Sequence, residues 1–130
     1  MTPEVVSEGR VSGLAGSPSV LAFNGRLADG PENAKRYQEL CAELERGSRD
    51  FVLDLQRVPD LDSMGIGFLI MCLTTARRAG GSLCLAAPSN RVLYSLLITR
   101  LDTIIPIFDS VEAAVAGLSK MSLTTLQERP

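Results

Sequence analysis

The side chains best able to do chemistry crowd into residues 54–69. Three acids, Asp54, Asp60 and Asp62, lie at and just beyond the end of an apolar strand, and Ser63, Met64, Gly65 and Gly67 begin an apolar helix. Carboxylates near a strand's C-terminal end are where an α/β protein could hold a divalent cation, so Asp54 and Asp62 with Mg²⁺ would suggest a small phosphate-handling enzyme. Against this, Asp also serves locally in turns and caps, and no acidic pair follows an early strand. A single Gly-x-Gly without further glycines or a P-loop Lys is weak ground for a phosphate cradle, and close packing of helix on strand accounts better for both glycines. Ser63 is placed to cap the helix through its hydroxyl, or alternatively to accept a phosphate. Met64 reads either as an exposed apolar anchor or as packing against the neighbouring loop. The helix start offers backbone N–H groups that favour an anion or an oxygen acceptor. Arg77 and Arg78, at the far end, complement the helix dipole.

Composition narrows the classes further. The 130 residues fit one domain, with 45% hydrophobic and 22% charged residues, an ordinary globular balance. Thirteen basic against fifteen acidic residues leave a net charge of −2, which gives no general attraction to nucleic acid or anionic lipid. The chain has no His, which excludes histidine catalysis, His metal ligands and phosphohistidine relays together. Cys41, Cys72 and Cys84 are odd in number and widely spaced, so they read as small buried apolar residues in a reducing compartment. The longest apolar stretch, Met64 to Leu73, is too short to cross a bilayer, and the N-terminus lacks the pattern of a signal peptide. A soluble, cytoplasmic chain is expected.

The elements that position these residues follow from periodicity. Val5-Val6 suggests an entering strand and Val20 to Phe23 a second, ended by Gly25. After Gly30-Pro31, Ala34, Tyr37, Leu40, Cys41 and Leu44 share one helical face, with Glu32, Lys35, Arg36, Glu39 and Glu43 at the other positions, and Gly47 stops the helix. Phe51 to Leu55 is apolar enough for a central parallel strand buried on both faces. The apolar helix then runs from Asp62 or Ser63 to about Arg78, ended by Gly80-Gly81. Ser82 to Ala87 is a strand, and Pro88-Ser89 opens a helix carrying Val92, Leu93, Leu96 and Leu97. Ile104 to Phe108 is an edge strand because Pro106 cannot donate to a ladder. Asp109 with Glu112 fits a capping box before a closing helix, and Ser119 to Pro130 reads as a polar tail after a domain spanning residues 1–118. Alternating strands and helices predict an α/β fold with a mostly parallel sheet.

The run Asp54-Leu55 followed by Asp62-Ser63-Met64-Gly65-Ile66-Gly67 resembles the signature of the STAS domain family, in which an apolar strand ends in Asp-Leu and Asp-Ser-Ser-Gly-x-Gly opens a helix. Gly25-Arg26-Leu27, the stretch from Gly80 to Leu85 and the capped segment from Leu101 to Leu118 extend the resemblance over nearly the whole chain. It implies a sheet of about five strands with helices mainly on one side, and an anti-sigma-factor antagonist that works by protein binding, with no enzymatic activity, metal or cofactor. The implied partner is an anti-sigma factor or a serine-kinase-like regulator that phosphorylates the second Ser of the signature. Phosphate adds roughly −1.5 to −2 charges and opposes docking. In this chain that second position is Met64, which has no hydroxyl, while Ser63 matches the first. A family Asp after Gly-x-Leu is replaced by Ala28, with Asp29 one residue on. The expected interaction surface is Asp62, Ser63, Met64 and Gly65, flanked by Arg26 and Asp29. The resemblance also admits a structural subunit of a transport or signalling assembly, and leaves pairing of two chains open.

Overall fold

A computed structural model describes residues 10–11 and 18–118. The chain alternates strands and helices in the order β1 (Arg10–Val11), β2 (Ser19–Asn24), α1 (Glu32–Glu45), β3 (Asp50–Arg57), α2 (Ser63–Arg78), β4 (Ser82–Ala86), α3 (Asn90–Ile98), a 3₁₀ turn (Leu101–Thr103) and β5 (Ile107–Phe108). A further helix, α4, occupies residues 111–118. The five strands form one sheet in sequential order, with β1 antiparallel to β2 and the remaining pairs parallel. This is the mostly parallel α/β sheet expected. The strand predicted at Val5-Val6 and the tail predicted at 119–130 lie outside the described residues.

Sequential order decides where the helices go. Each parallel connection is a right-handed crossover stepping the same way across the sheet, so α1, α2 and α3 all fall on one face. Strand alternation then sorts the core. Leu21, Phe23, Phe51, Leu53, Leu55, Leu83 and Leu85 pack with Leu40 of α1, Phe68, Leu69 and Cys72 of α2, and Val92 and Leu96 of α3. Val20, Val52, Cys84 and Ala86 point the other way and meet Ala114 and Leu118 of α4. Burial pushes both the Cys72 and Cys84 thiols up from 9.0 to about 12, with lesser contributions from Cys41 and Asp50 respectively.

Three expectations are corrected here. The last strand is shorter than Ile104 to Phe108, because Arg100 turns into the left-handed region (φ 59°), residues 101–103 form the 3₁₀ turn, and Ile105 is buried as a loop residue. Arg36 and Glu43 of α1 are buried rather than solvated, while Ala34 is exposed. Arg36 lies over the Phe23 ring, 5.4 Å from its centroid, and donates to the Asn24 carbonyl. Glu43 accepts from Ser19 Oγ and Ser48 Oγ and pairs with Arg46 at 2.8 Å. Finally, α4 is capped by Ser110, whose Oγ accepts from Ala113 N, and not by Asp109.

Candidate functional site

Two loops leave the C-terminal end of the parallel sheet side by side, residues 25–31 after β2 and residues 58–62 after β3. Gly25, at φ 95°, ends β2 and donates its N–H to the Arg57 carbonyl. The loops are then stitched together by backbone. Leu27 N donates to Asp60 O (3.1 Å) and Asp62 N donates to Leu27 O (3.2 Å), a one-residue parallel bridge between Leu27 and Leu61. Both leucines are buried, so apolar burial anchors what the hydrogen bonds align.

This bridge delivers the chain into α2 in a fixed orientation. Asp62, in extended geometry, is the N-cap, and its Oδ1 accepts from Met64 N (2.9 Å) and Gly65 N (3.1 Å). The capping role expected of Ser63 therefore belongs to Asp62. A cap must be extended for its side chain to reach back to the helix N–H groups, and Ser63 is already the first helical residue. Ile66 N is taken by Asp62 O (2.9 Å), so donors that would serve an anion are held by Asp62 itself.

Gly65 sits against the bridge. A Cβ placed there would overlap the Leu27 carbonyl oxygen and come within 2.8 Å of its carbon and 2.9 Å of the Leu27 Cβ, so only Gly permits this approach. Gly67 differs from expectation. It is exposed, with nothing within 4 Å of a Cβ, so close packing does not account for it.

Arg26 binds the acids of the opposite loop. Its Nε lies 2.7 Å from Asp60 Oδ1, and its Nη1 lies 3.6 Å from Asp62 Oδ2. Asp60 Oδ1 is buried and has this charge contact without an aligned hydrogen bond. The three acids do not gather around a common point. Asp54 pairs in register with Ala86, on the face of the sheet opposite α2, and accepts from Gln56 N, while Asp60 and Asp62 are engaged by Arg26. Among the described residues no group of three metal-ligating side chains converges.

The result is a small surface at one end of the sheet, where Arg26, Asp62, Ser63 and Met64 lie together. Met64 is 54% exposed and Ser63 is exposed beside it. Asp29 is exposed in the same loop but makes none of these ion pairs, and Ala28 is half-buried, with its carbonyl accepting from Asn33 Nδ2 (2.7 Å). Asp60 is the participant that spacing did not single out as a partner for Arg26. The only hint was one basic residue after β2 facing two acids spaced two apart after β3. Arg77, exposed at the far end of α2 as its place at the helix C-terminus suggests, also donates to the Ile104 carbonyl (3.2 Å). Among the described residues no helix is long and apolar enough to cross a membrane.

Comparisons with known proteins bear on the family and the fold. A STAS domain family model matches residues 16–114. A Thermotoga neapolitana protein, provisionally named an anti-sigma factor antagonist homolog, is 31% identical over 86 residues, covering 65% of this chain and 76% of its own. The crystal structure of a Thermotoga maritima protein with the same provisional designation superposes with a TM-score of 0.66 at 28% identity, covering 77% of this chain and 86% of that one. A sulfate transporter family protein from Wolinella succinogenes shares the fold, with a TM-score of 0.69 at 22% identity over 85% of this chain and 89% of that one. The sequence relatives carry the names of antagonists, not of enzymes.

Proposed function

The chain belongs to the STAS domain family, and from that premise we propose that it is an anti-sigma-factor antagonist whose docking surface has lost its phosphate switch. It binds an anti-sigma factor or a serine-kinase-like regulator in a partner-switching pathway of the cytoplasm, and does so without catalysis. The surface comprises Asp62, Ser63 and Met64, with Arg26 and Asp29 beside them, while Gly65, expected in it, is buried and holds the helix start against Leu27. The observation that carries this reading is the exposure of Met64. At the position where the family signature has its second Ser, a thioether 54% open to solvent stands at the mouth of the stitched loops. An unbranched apolar side chain there suits an irregular partner surface and has no hydroxyl to accept a phosphate.

Purified chain and cognate anti-sigma factor test this by calorimetry and intact mass. Unaltered chain binds and stays unphosphorylated in the presence of ATP and the kinase. Met64→Ser gains one phosphate, and Met64→Glu weakens binding by about tenfold or more, since a charge must be desolvated in the interface. A phosphate on Ser63 of the unaltered chain would contradict the loss of switching. Equal affinity for Met64→Glu would place the docking surface elsewhere. The absent hydroxyl also fits a constitutive structural subunit of a transport or signalling assembly. Recovery of transport subunits and no kinase-like protein in affinity purification from the native cell would favour that second reading.

A further inference from the structure

The helix layer is divided by charge and by apolarity. From Ser63 to Leu101 the chain carries four arginines, Arg77, Arg78, Arg91 and Arg100, and no Asp, Glu or Lys, so all fifteen acids lie outside this stretch. All four arginines are exposed. On α3, Val92 and Leu96 face the core, while Tyr94 (66% exposed), Leu97 and Ile98 (62%) form an outward stripe spaced i, i+3, i+4. Ile104, just past the 3₁₀ turn that follows α3, is exposed as well and is tied to α2 by the bond from Arg77, with Asp102 the one acid between Arg100 and it. None of these four side chains belongs to the buried core. Helix α3 runs back from the strands' C-terminal end, so Leu97, Ile98 and Arg100 lie at the end of the layer opposite Asp62 and Met64.

We propose that the outer face of α3 with Ile104, framed by Arg77, Arg91 and Arg100, is a second docking surface, shaped for an amphipathic helix of a partner protein whose apolar stripe is flanked by Asp and Glu. Charge selects this occupant. A symmetric second copy would set these arginines against one another, because a two-fold contact places the same patch on both sides. A flat anionic bilayer extends past the patch and meets the acids carried by the rest of the chain. A single helix, about 10–12 Å across, covers the stripe and meets Arg77, Arg91 and Arg100 against the single acid Asp102, and beyond the Debye length of about 8 Å it is screened from the other acids.

Selection of helix-forming peptides with randomised flanks on the immobilised full chain tests the proposal independently of the Met64 surface. Enriched peptides are expected to carry Asp or Glu beside a Leu/Ile/Phe stripe. Their affinity should fall about tenfold or more in Ile98→Ser and in the pair Arg91→Glu, Arg100→Glu, and hold in Met64→Ser. These α3 side chains are exposed, so unchanged thermal midpoints confirm that the variants fold. No enrichment, basic flanks, or binding indifferent to the α3 substitutions would overturn it. A concentration-dependent dimer abolished by Ile98→Ser, or pelleting with 3:1 phosphatidylcholine:phosphatidylglycerol vesicles abolished by it, would overturn it in favour of a second copy or a bilayer.

Discussion

Replacing Gly65 with Ala tests how rigidly the loops are coupled to α2. The added Cβ would collide with the Leu27 carbonyl, a backbone group that cannot rotate away, and that oxygen is also the acceptor for Asp62 N. Relief requires moving loop 26–30 away from the helix. Overpacking of this kind costs about 1–3 kcal/mol. Losing the two bridge hydrogen bonds adds about 0.5–1.5 kcal/mol each, offset by at most about 1 kcal/mol from the better helix propensity of Ala. The net expectation is a destabilisation of about 1–6 kcal/mol, and its midpoint of about 3 kcal/mol corresponds to roughly 10–15 °C in Tm for a domain of this size. Gly67→Ala, two residues on, meets nothing and should gain up to about 1 kcal/mol. Urea titrations followed by far-UV circular dichroism give both values, with an unchanged slope showing that only stability moved. If the two variants shift the midpoint in the same direction, or Gly65→Ala stays within about 0.5 kcal/mol of the parent, the close approach inferred at Leu27 is wrong.

Three further outcomes are expected. Asp62→Ala should lose about 1 kcal/mol in the same titration, and Asp62→Asn should recover most of it, because an amide oxygen can still cap Met64 N and Gly65 N. Glu43→Ala leaves the Ser19 and Ser48 hydroxyls bonded only to each other and Arg46 in solvent, and should cost about 1–3 kcal/mol, visible as a lowered thermal midpoint. Because burial raises the Cys72 and Cys84 thiols from 9.0 to about 12 in the folded chain, their contribution is complete below pH 9 and is lost progressively as pH rises toward 12. Denaturation midpoints should therefore fall between pH 9 and 11, less steeply in Cys72→Ala.

Much of the fold was legible because burial writes itself into period. Phe51 to Leu55 reads as a two-sided central strand, and it is one, with Leu53 and Val52 on opposite cores. What periodicity cannot express is which of two adjacent polar residues does a job. Asp62 or Ser63 at α2, and Asp109 or Ser110 at α4, differ only in backbone angle at the junction, and both caps fell one residue from the expected place. Arg36 and Glu43 escape the pattern for another reason. A charged side chain marks solvent unless partners distant in sequence meet it, and Phe23 and Ser19 come from β2. Arg36 and Glu43 stand seven residues apart, two turns along one face, which is the trace they left. The ion pairs of Arg26 likewise depend on two loops meeting, a property of strand order rather than of any local pattern.

The unequal covering of the sheet bears on synthesis. Because each strand joins its predecessor along the chain, the helix-bearing side of β2, β3 and β4 can close as the polypeptide leaves the ribosome, with short loops to order at each step. Val20, Val52, Cys84 and Ala86, on the reverse side, are sealed among the described residues by 111–118, the last of them to be made, with Phe108 of β5 beside them. A nascent chain halted before that helix would display a water-exposed apolar strip across three strands, the kind of surface on which chaperones act and aggregates begin.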